Sequence, residues 1–252
     1  MKRMAFLLIF GAIFTLSSCG RVESGLSGEV YDLEEFYPLG KYEWTYRADS
    51  VIYDLVGNEQ TVDSTTTYIR YRMEKVDEYW LMIEAQRPDT ISEWKISGNT
   101  QIRIENGSVF LNQGGPSLIA LKKPIRQGTI WDEGALVDPQ FMLVVAGEFI
   151  APFSIPWQAE YVEITEGVQL GSNRFDRVLK KVSVDEDVLI ERRSRSEWYA
   201  AGYGLVQARG FFADTQCEHL PGELADCIGL PWQRKANRGF QYVLTLESFE
   251  IW

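Results

Sequence analysis

Histidine is almost missing: the 252-residue chain has one, His219. That excludes most catalytic and metal sites built on imidazole. Cysteine is scarce, with three residues. Basic residues are outnumbered, 25 Lys and Arg against 36 Asp and Glu, for a net charge of −11. A chain so poor in positive charge lacks the means to neutralise phosphates, which excludes nucleic acid as a partner. Long apolar runs are lacking too. Met4 to Leu16 is thirteen residues, and a helix needs about 20 to cross a bilayer. What the chain has instead is aromatics, 8 Trp, 12 Tyr and 13 Phe, residues that suit strands better than helices. With 45% hydrophobic and 24% charged residues the composition is that of a folded globular protein.

The N-terminus reads as an address. Lys2 and Arg3 precede the short apolar run Met4–Leu16, the pattern of a secretory signal. Leu16-Ser17-Ser18-Cys19-Gly20 follows and resembles the bacterial lipobox. That resemblance implies cleavage before Cys19 and acylation of its thiol, by palmitate or a similar chain, leaving Cys19 as the lipid-bearing N-terminus. An ordinary signal peptide with an incidental cysteine, or an uncleaved anchor, is the alternative. Removing residues 1–18 leaves 234 residues and, with Lys2 and Arg3 gone, a charge of −13. So acidic a domain is not drawn to an anionic membrane, and attachment rests on two or more acyl chains. Gly20, where enteric lipoproteins retained at the inner membrane carry Asp, points by the same resemblance to the outer membrane of the cell envelope. Gly20 to Gly28 is polar and rich in Gly and Ser. As a flexible tether it reaches about 15–18 Å. The organisation expected is signal peptide 1–18, tether 19–35 and one β-rich domain 36–252.

Cys217 and Cys227 remain, ten residues apart. In an exported protein two spare cysteines predict a disulfide, worth up to about 2.7 kcal/mol by loop entropy. Free thiols are one alternative. A metal site from Cys217, His219 and Cys227 is another, but its spacing is unlike that of zinc sites. No metal and no cofactor are expected.

Downstream the period is two. Tyr42, Trp44, Tyr46 and Ala48 alternate with Lys41, Glu43, Thr45 and Arg47; Ile69, Tyr71 and Met73 alternate with polar residues; so do Ile102 and Ile104, and Tyr242, Leu244 and Leu246. This is the pattern of half-buried strands. Asn106-Gly107 between two such runs predicts a type I′ hairpin. Further strands are expected near 51–55, 79–86, 90–97, 108–112, 117–122, 160–165, 174–184, 187–198 and 204–212. The fold expected is all-β and mainly antiparallel: a single curved sheet, half-barrel or sandwich of roughly ten to twelve strands, with at most one or two short helices. Asp138-Pro139 can open a helix over 139–146, but Val144-Val145 favours a strand. Prolines 152 and 156 make 150–157 loop or edge. Phe141, Met142, Leu143, Phe149, Phe153 and Trp157 are many large apolar groups for one connection. They pack on the core, line a cavity for an apolar ligand, or face a membrane.

Four motifs carry a resemblance over most of residues 36–250. They are Phe36-Tyr37-Pro38-Leu39-Gly40 with Trp44-Thr45-Tyr46; Pro124-Ile125-Arg126-Gln127-Gly128-Thr129-Ile130-Trp131; Gly171 to Lys180; and Glu197-Trp198-Tyr199-Ala200-Ala201-Gly202-Tyr203-Gly204-Leu205-Val206. Their order resembles a broad set of uncharacterised bacterial lipoproteins. The likeness implies β-rich domains similar to the curved half-barrels of lipoprotein carriers, and a fold more than an activity.

Chemistry is thinly signalled. Gly202-Tyr203-Gly204 lacks the third glycine and the helix of a dinucleotide site. His219 has no evident nucleophile partner. The acidic pairs Asp132-Glu133 and Asp185 to Asp187 could hydrolyse glycosides only if two carboxylates converge in a cleft; a solvated turn is the simpler reading of 185–187. Arg192, Arg193 and Arg195 alternate faces of one strand, as an anion site or as salt-bridged surface. The expectation is a non-catalytic, lipid-anchored envelope protein that binds an apolar ligand or an envelope partner. The alternatives are a structural lipoprotein with a filled core and a carboxylate hydrolase.

Overall fold

Alternating residues that point to one side of a strand become the inner face of one strongly curved sheet. The structure is a computed structural model describing residues 28–252 apart from 57–58, 114–115, 146–147, 151–155, 216–226 and 228. In chain order it contains α1 (Leu33–Phe36), β1 (Tyr42–Val56), β2 (Glu59–Val76), β3 (Tyr79–Arg87), β4 (Lys95–Glu105), β5 (Ser108–Asn112), β6 (Ser117–Lys122) and β7 (Ile130–Asp132). A hairpin of β8 (Leu143–Val145) and β9 (Glu148–Ile150) follows. Then come β10 (Gln158–Leu170), β11 (Asn173–Asp187), β12 (Glu191–Ala200), β13 (Gly204–Asp214), α2 (Trp232–Lys235) and β14 (Arg238–Ile251).

Twelve of these strands form one sheet in the order β6-β5-β4-β3-β2-β1-β14-β13-β12-β11-β10-β7, and every pairing is antiparallel. Two meanders are thus joined where the last strand pairs with the first. The all-β antiparallel expectation holds, and both helices are single turns.

Several strands exceed the usual 3–10 residues, and bulges let them curl. The register shifts at Thr45/Tyr46, Val182/Val184 and Trp198/Tyr199, among others; each shift bends its strand and increases the twist. The two ends of the sheet consequently meet. The Ile119 amide donates to Glu133 O at 3.0 Å, the Trp131 indole to Ile119 O at 2.7 Å, and Ser117 bridges Leu136. The result is a nearly closed barrel.

Local chemistry fixes the turns. Glu105 pairs with Ser108 across Asn106-Gly107, whose φ angles are 50° and 70°, as a type I′ turn demands. Gly210 serves close approach: the Tyr242 ring lies where its Cβ would be.

Strand directions sort the connections. The adjoining ends of β1 and β2, β3 and β4, β5 and β6, and β11 and β12 lie at one end of the barrel, where β7 ends and β10 begins. At the other end α1 forms a plug. Leu33 and Phe36 are fully buried, and the Gly202 amide donates to Glu35 O at 2.8 Å. The chain enters at this plugged end, where Tyr31 bridges Ile125.

One open alternative is decided and two local expectations are revised. Asp138-Pro139 opens a turn, not a helix: the Asp138 carboxylate accepts from Gln140 N at 2.8 Å, its carbonyl accepts from Phe141 N at 2.9 Å, and Leu143–Val145 pairs as a strand. The strand expected at 90–97 begins at Lys95. The polar stretch 59–67, not expected to be a strand, is the first half of β2.

The Cys217–Cys227 bridge is not among the contacts between described residues; Cys217 falls among residues 216–226, outside those described. Cys227 is described; it is buried and is not a free thiol. Cys19, His219 and Phe153 also lie outside the described residues.

Candidate functional site

The inward positions of the barrel do not meet across its middle. They enclose a cavity of about 660 Å³, within the range of small-molecule sites. β1 supplies Trp44, Tyr46, Ala48 and Ser50, β2 supplies Ile69, Tyr71 and Met73, and β14 supplies Phe240, Tyr242 and Leu244. All but Ser50 and Phe240 are residues whose alternation marked the strands. Tyr37, next to α1, lies at the plugged end, and the wall runs to Gln113, Pro116 and Phe141 at the opposite end.

Most polar atoms along this wall are occupied by the protein itself. The Trp44 indole donates to Tyr203 O at 2.6 Å, and the Tyr46 hydroxyl donates to Leu205 O at 2.6 Å. Burial pushes the phenols of Tyr46, Tyr71, Tyr199 and Tyr242 upward, so they stay neutral hydrogen-bonding groups.

One side of the wall is charged. Lys181 on β11 is fully buried; its Nζ lies 2.9 Å from Glu133 Oε1, 2.5 Å from Glu197 Oε2 and 3.0 Å from Ala120 O. Arg195, two residues before Glu197 on β12, pairs with Glu197 and lies 3.5 Å from Glu133. The Tyr199 hydroxyl donates to Glu197 at 3.0 Å, and the Tyr242 phenol lies beside Arg195. Burial alone would raise the Glu197 carboxyl, but Arg195 and Lys181 beside it overcome that and hold it down at about 2. The Arg195 guanidinium lies 5.2 Å from the Trp157 ring centroid, and Trp157 stacks on Phe212 at 5.7 Å. Arg195 and Glu197 line the cavity; Lys181 and Glu133 stand behind them.

The six apolar residues singled out in 141–157 separate. Phe141 and Trp157 line the cavity. Met142 and Phe149 are 55% and 62% exposed. Leu143 belongs to β8. Asp185 and Asp187 pair with Arg192 at the β11–β12 hairpin, and Arg193 lies 2.7 Å from Asp214, so these charges are used on the framework.

The charged quartet was missed as a unit, though a signal existed. Lys181 is two residues from buried Leu179, Glu133 two from buried Trp131, and Glu197 two from buried Tyr199. Parity placed all three inside. Among the described residues no group of three or more His, Cys, Asp and Glu could hold a metal ion, and no helix is long and apolar enough to cross a membrane. No protein-family model, curated protein or solved structure matches the chain.

Proposed function

We propose that this protein is a lipid-anchored, non-catalytic component of the bacterial cell envelope, at the outer membrane, whose barrel holds an apolar ligand. The observation that carries the reading is the 660 Å³ aromatic cavity. An antiparallel barrel whose inner faces are large and apolar, yet enclose space, suits a lipid-sized guest. Glu197, held ionised by Arg195 and Lys181, is a poor general acid. The lipobox-like Cys19 and the resemblance to bacterial lipoproteins support the anchor.

Geometry supports an orientation. The chain enters at the plugged end, and a tether of nine residues reaches about 15–18 Å. The cavity lining reaches Gln113, Pro116 and Phe141 at the opposite end, and a mouth there would face away from the anchoring membrane. Exposed apolar residues lie at that end, among them Val188, Leu189 and Ile190 at the β11–β12 tip and Ile91 in the β3–β4 connection, and others, such as Ile251 and Trp252, lie at the plugged end. Exposed apolar groups beside a mouth suit passage of an apolar ligand to or from another lipid-bearing surface.

Native mass spectrometry of detergent-solubilised wild type and Cys19→Ser, both made in a bacterial host, tests both halves of this reading. Covalent acyl mass is expected on the wild type alone, and a dissociable lipid adduct on both proteins. Acyl mass persisting on Cys19→Ser overturns the anchor. Absence of any adduct overturns the ligand.

A further inference from the structure

The cavity is apolar over most of its wall, and its polar residues are almost all satisfied from within. The exception is Arg195. Its two terminal nitrogens are engaged by Glu133 and Glu197, but Nε is buried and has no acceptor in the protein. Of the cavity-lining residues, Arg195 alone among those described leaves a buried donor unused. Glu197, the acidic residue on the same wall, spends one oxygen on Arg195 and the other on Lys181 and Tyr199. Among the described cavity-lining side chains the carboxylate oxygens are therefore spent and a donor is left over, while Glu133 Oε2, the unpartnered acceptor of the quartet, stands behind the wall.

The charge count narrows what accepts from that donor. Two basic side chains, Lys181 and Arg195, stand against two acidic ones, Glu133 and Glu197. The cluster is already neutral. An entering carboxylate or phosphate would place a third negative charge next to two others in a medium of low dielectric, which is costly. A neutral carbonyl oxygen satisfies the same N–H without that cost, because a buried unmet donor is itself unfavourable. Trp157 and Tyr242 flank the guanidinium and leave apolar surface on either side for the chain that carries the carbonyl.

We propose that Arg195 is the headgroup contact of the cavity, and that the ligand is an acyl ester or amide, its carbonyl on the guanidinium edge and its hydrocarbon chain along the aromatic wall. This rests on the ligand-binding reading above and specifies its substrate class. Free fatty acids and phosphate-headed single chains are disfavoured by the neutral quartet.

The test uses the full chain, delipidated and then incubated at pH 8 with equimolar methyl palmitate, palmitic acid and hexadecane, with adducts counted by native mass spectrometry. The same competition is run on Arg195→Met and Glu197→Gln, each checked for a native near-ultraviolet circular dichroism spectrum. The wild type is expected to hold the ester at least tenfold over both the acid and the alkane. Arg195→Met should lose the preference of ester over alkane. Glu197→Gln makes the cluster net positive and should shift the acid-to-ester ratio at least tenfold toward the acid; being nearly isosteric, it keeps the test open if Arg195→Met fails to fold. Adducts whose ratios are the same in all three proteins overturn the headgroup assignment while leaving a ligand cavity standing. A wild type that favours the acid also overturns it. No adduct in any protein removes the ligand reading itself.

Discussion

At the scale of single residues, Lys181 raises the sharpest question. Burying an ammonium costs several kcal/mol, and paired carboxylates offset this only with good geometry. Lys181 has that geometry, with two carboxylates and the Ala120 carbonyl on one nitrogen. A hydrophobic residue of similar size would fill the position at no electrostatic cost. A buried quartet therefore argues better for specifying the cavity wall than for stability. Its pH signature follows from Glu197. Arg195 and Lys181 depress that carboxyl from 4.5 to about 2. A depressed carboxylate stabilises the fold fully above its unfolded value, and the contribution is lost as pH falls through the folded value. Denaturant unfolding of the wild type should therefore lose up to about 3 kcal/mol more than Glu197→Gln between pH 4.5 and 2. Parallel pH dependences in the two proteins would remove the ionised Glu197 from this account.

At the scale of elements, segment 138–157 carries two different surfaces. Phe149 on β9 is 62% exposed, whereas Trp157 is buried between Phe212 and Arg195. Phe149→Ala should change unfolding stability by no more than about 0.5 kcal/mol. Trp157→Ala should cost about 3–5 kcal/mol. Equal losses in urea unfolding would mean that the hairpin packs where it is seen exposed. Composition cannot separate these two aromatics, since both sit in one apolar stretch broken by prolines. Elsewhere the elements were legible where a single face is buried. Trp44, Tyr46 and Ala48 on β1, and Tyr242, Leu244 and Leu246 on β14, alternate in sequence and point inward in the barrel. The Asn106-Gly107 turn was legible because both residues tolerate positive φ. The first half of β2, residues 61–66, was not: it is exposed on both faces and, Val62 aside, polar, and is held as a strand by its partner β1. Asp138-Pro139 misled in part, because the Asp side chain closes a turn as readily as it caps a helix.

At the scale of the whole molecule, closure is what no local pattern could announce. β14 pairs with β1, about 200 residues apart in sequence, and the seam between β6 and residues 131–136 rests on three hydrogen-bonded contacts. Closure converts inward aromatic faces into a chamber, and it brings Glu133, Lys181, and the β12 pair Arg195 and Glu197 from three chain segments to one wall. The account depends on that chamber being space and not packed core. Ala208 on β13 is buried in the cavity wall, and replacing it by Trp puts an indole into the space. Equilibrium denaturation of delipidated Ala208→Trp is therefore the most direct test. The account predicts stability within about 0.5 kcal/mol of wild type, or higher, since the added ring fills a void. A loss of about 1–3 kcal/mol, the usual cost of overpacking a filled core, would contradict it.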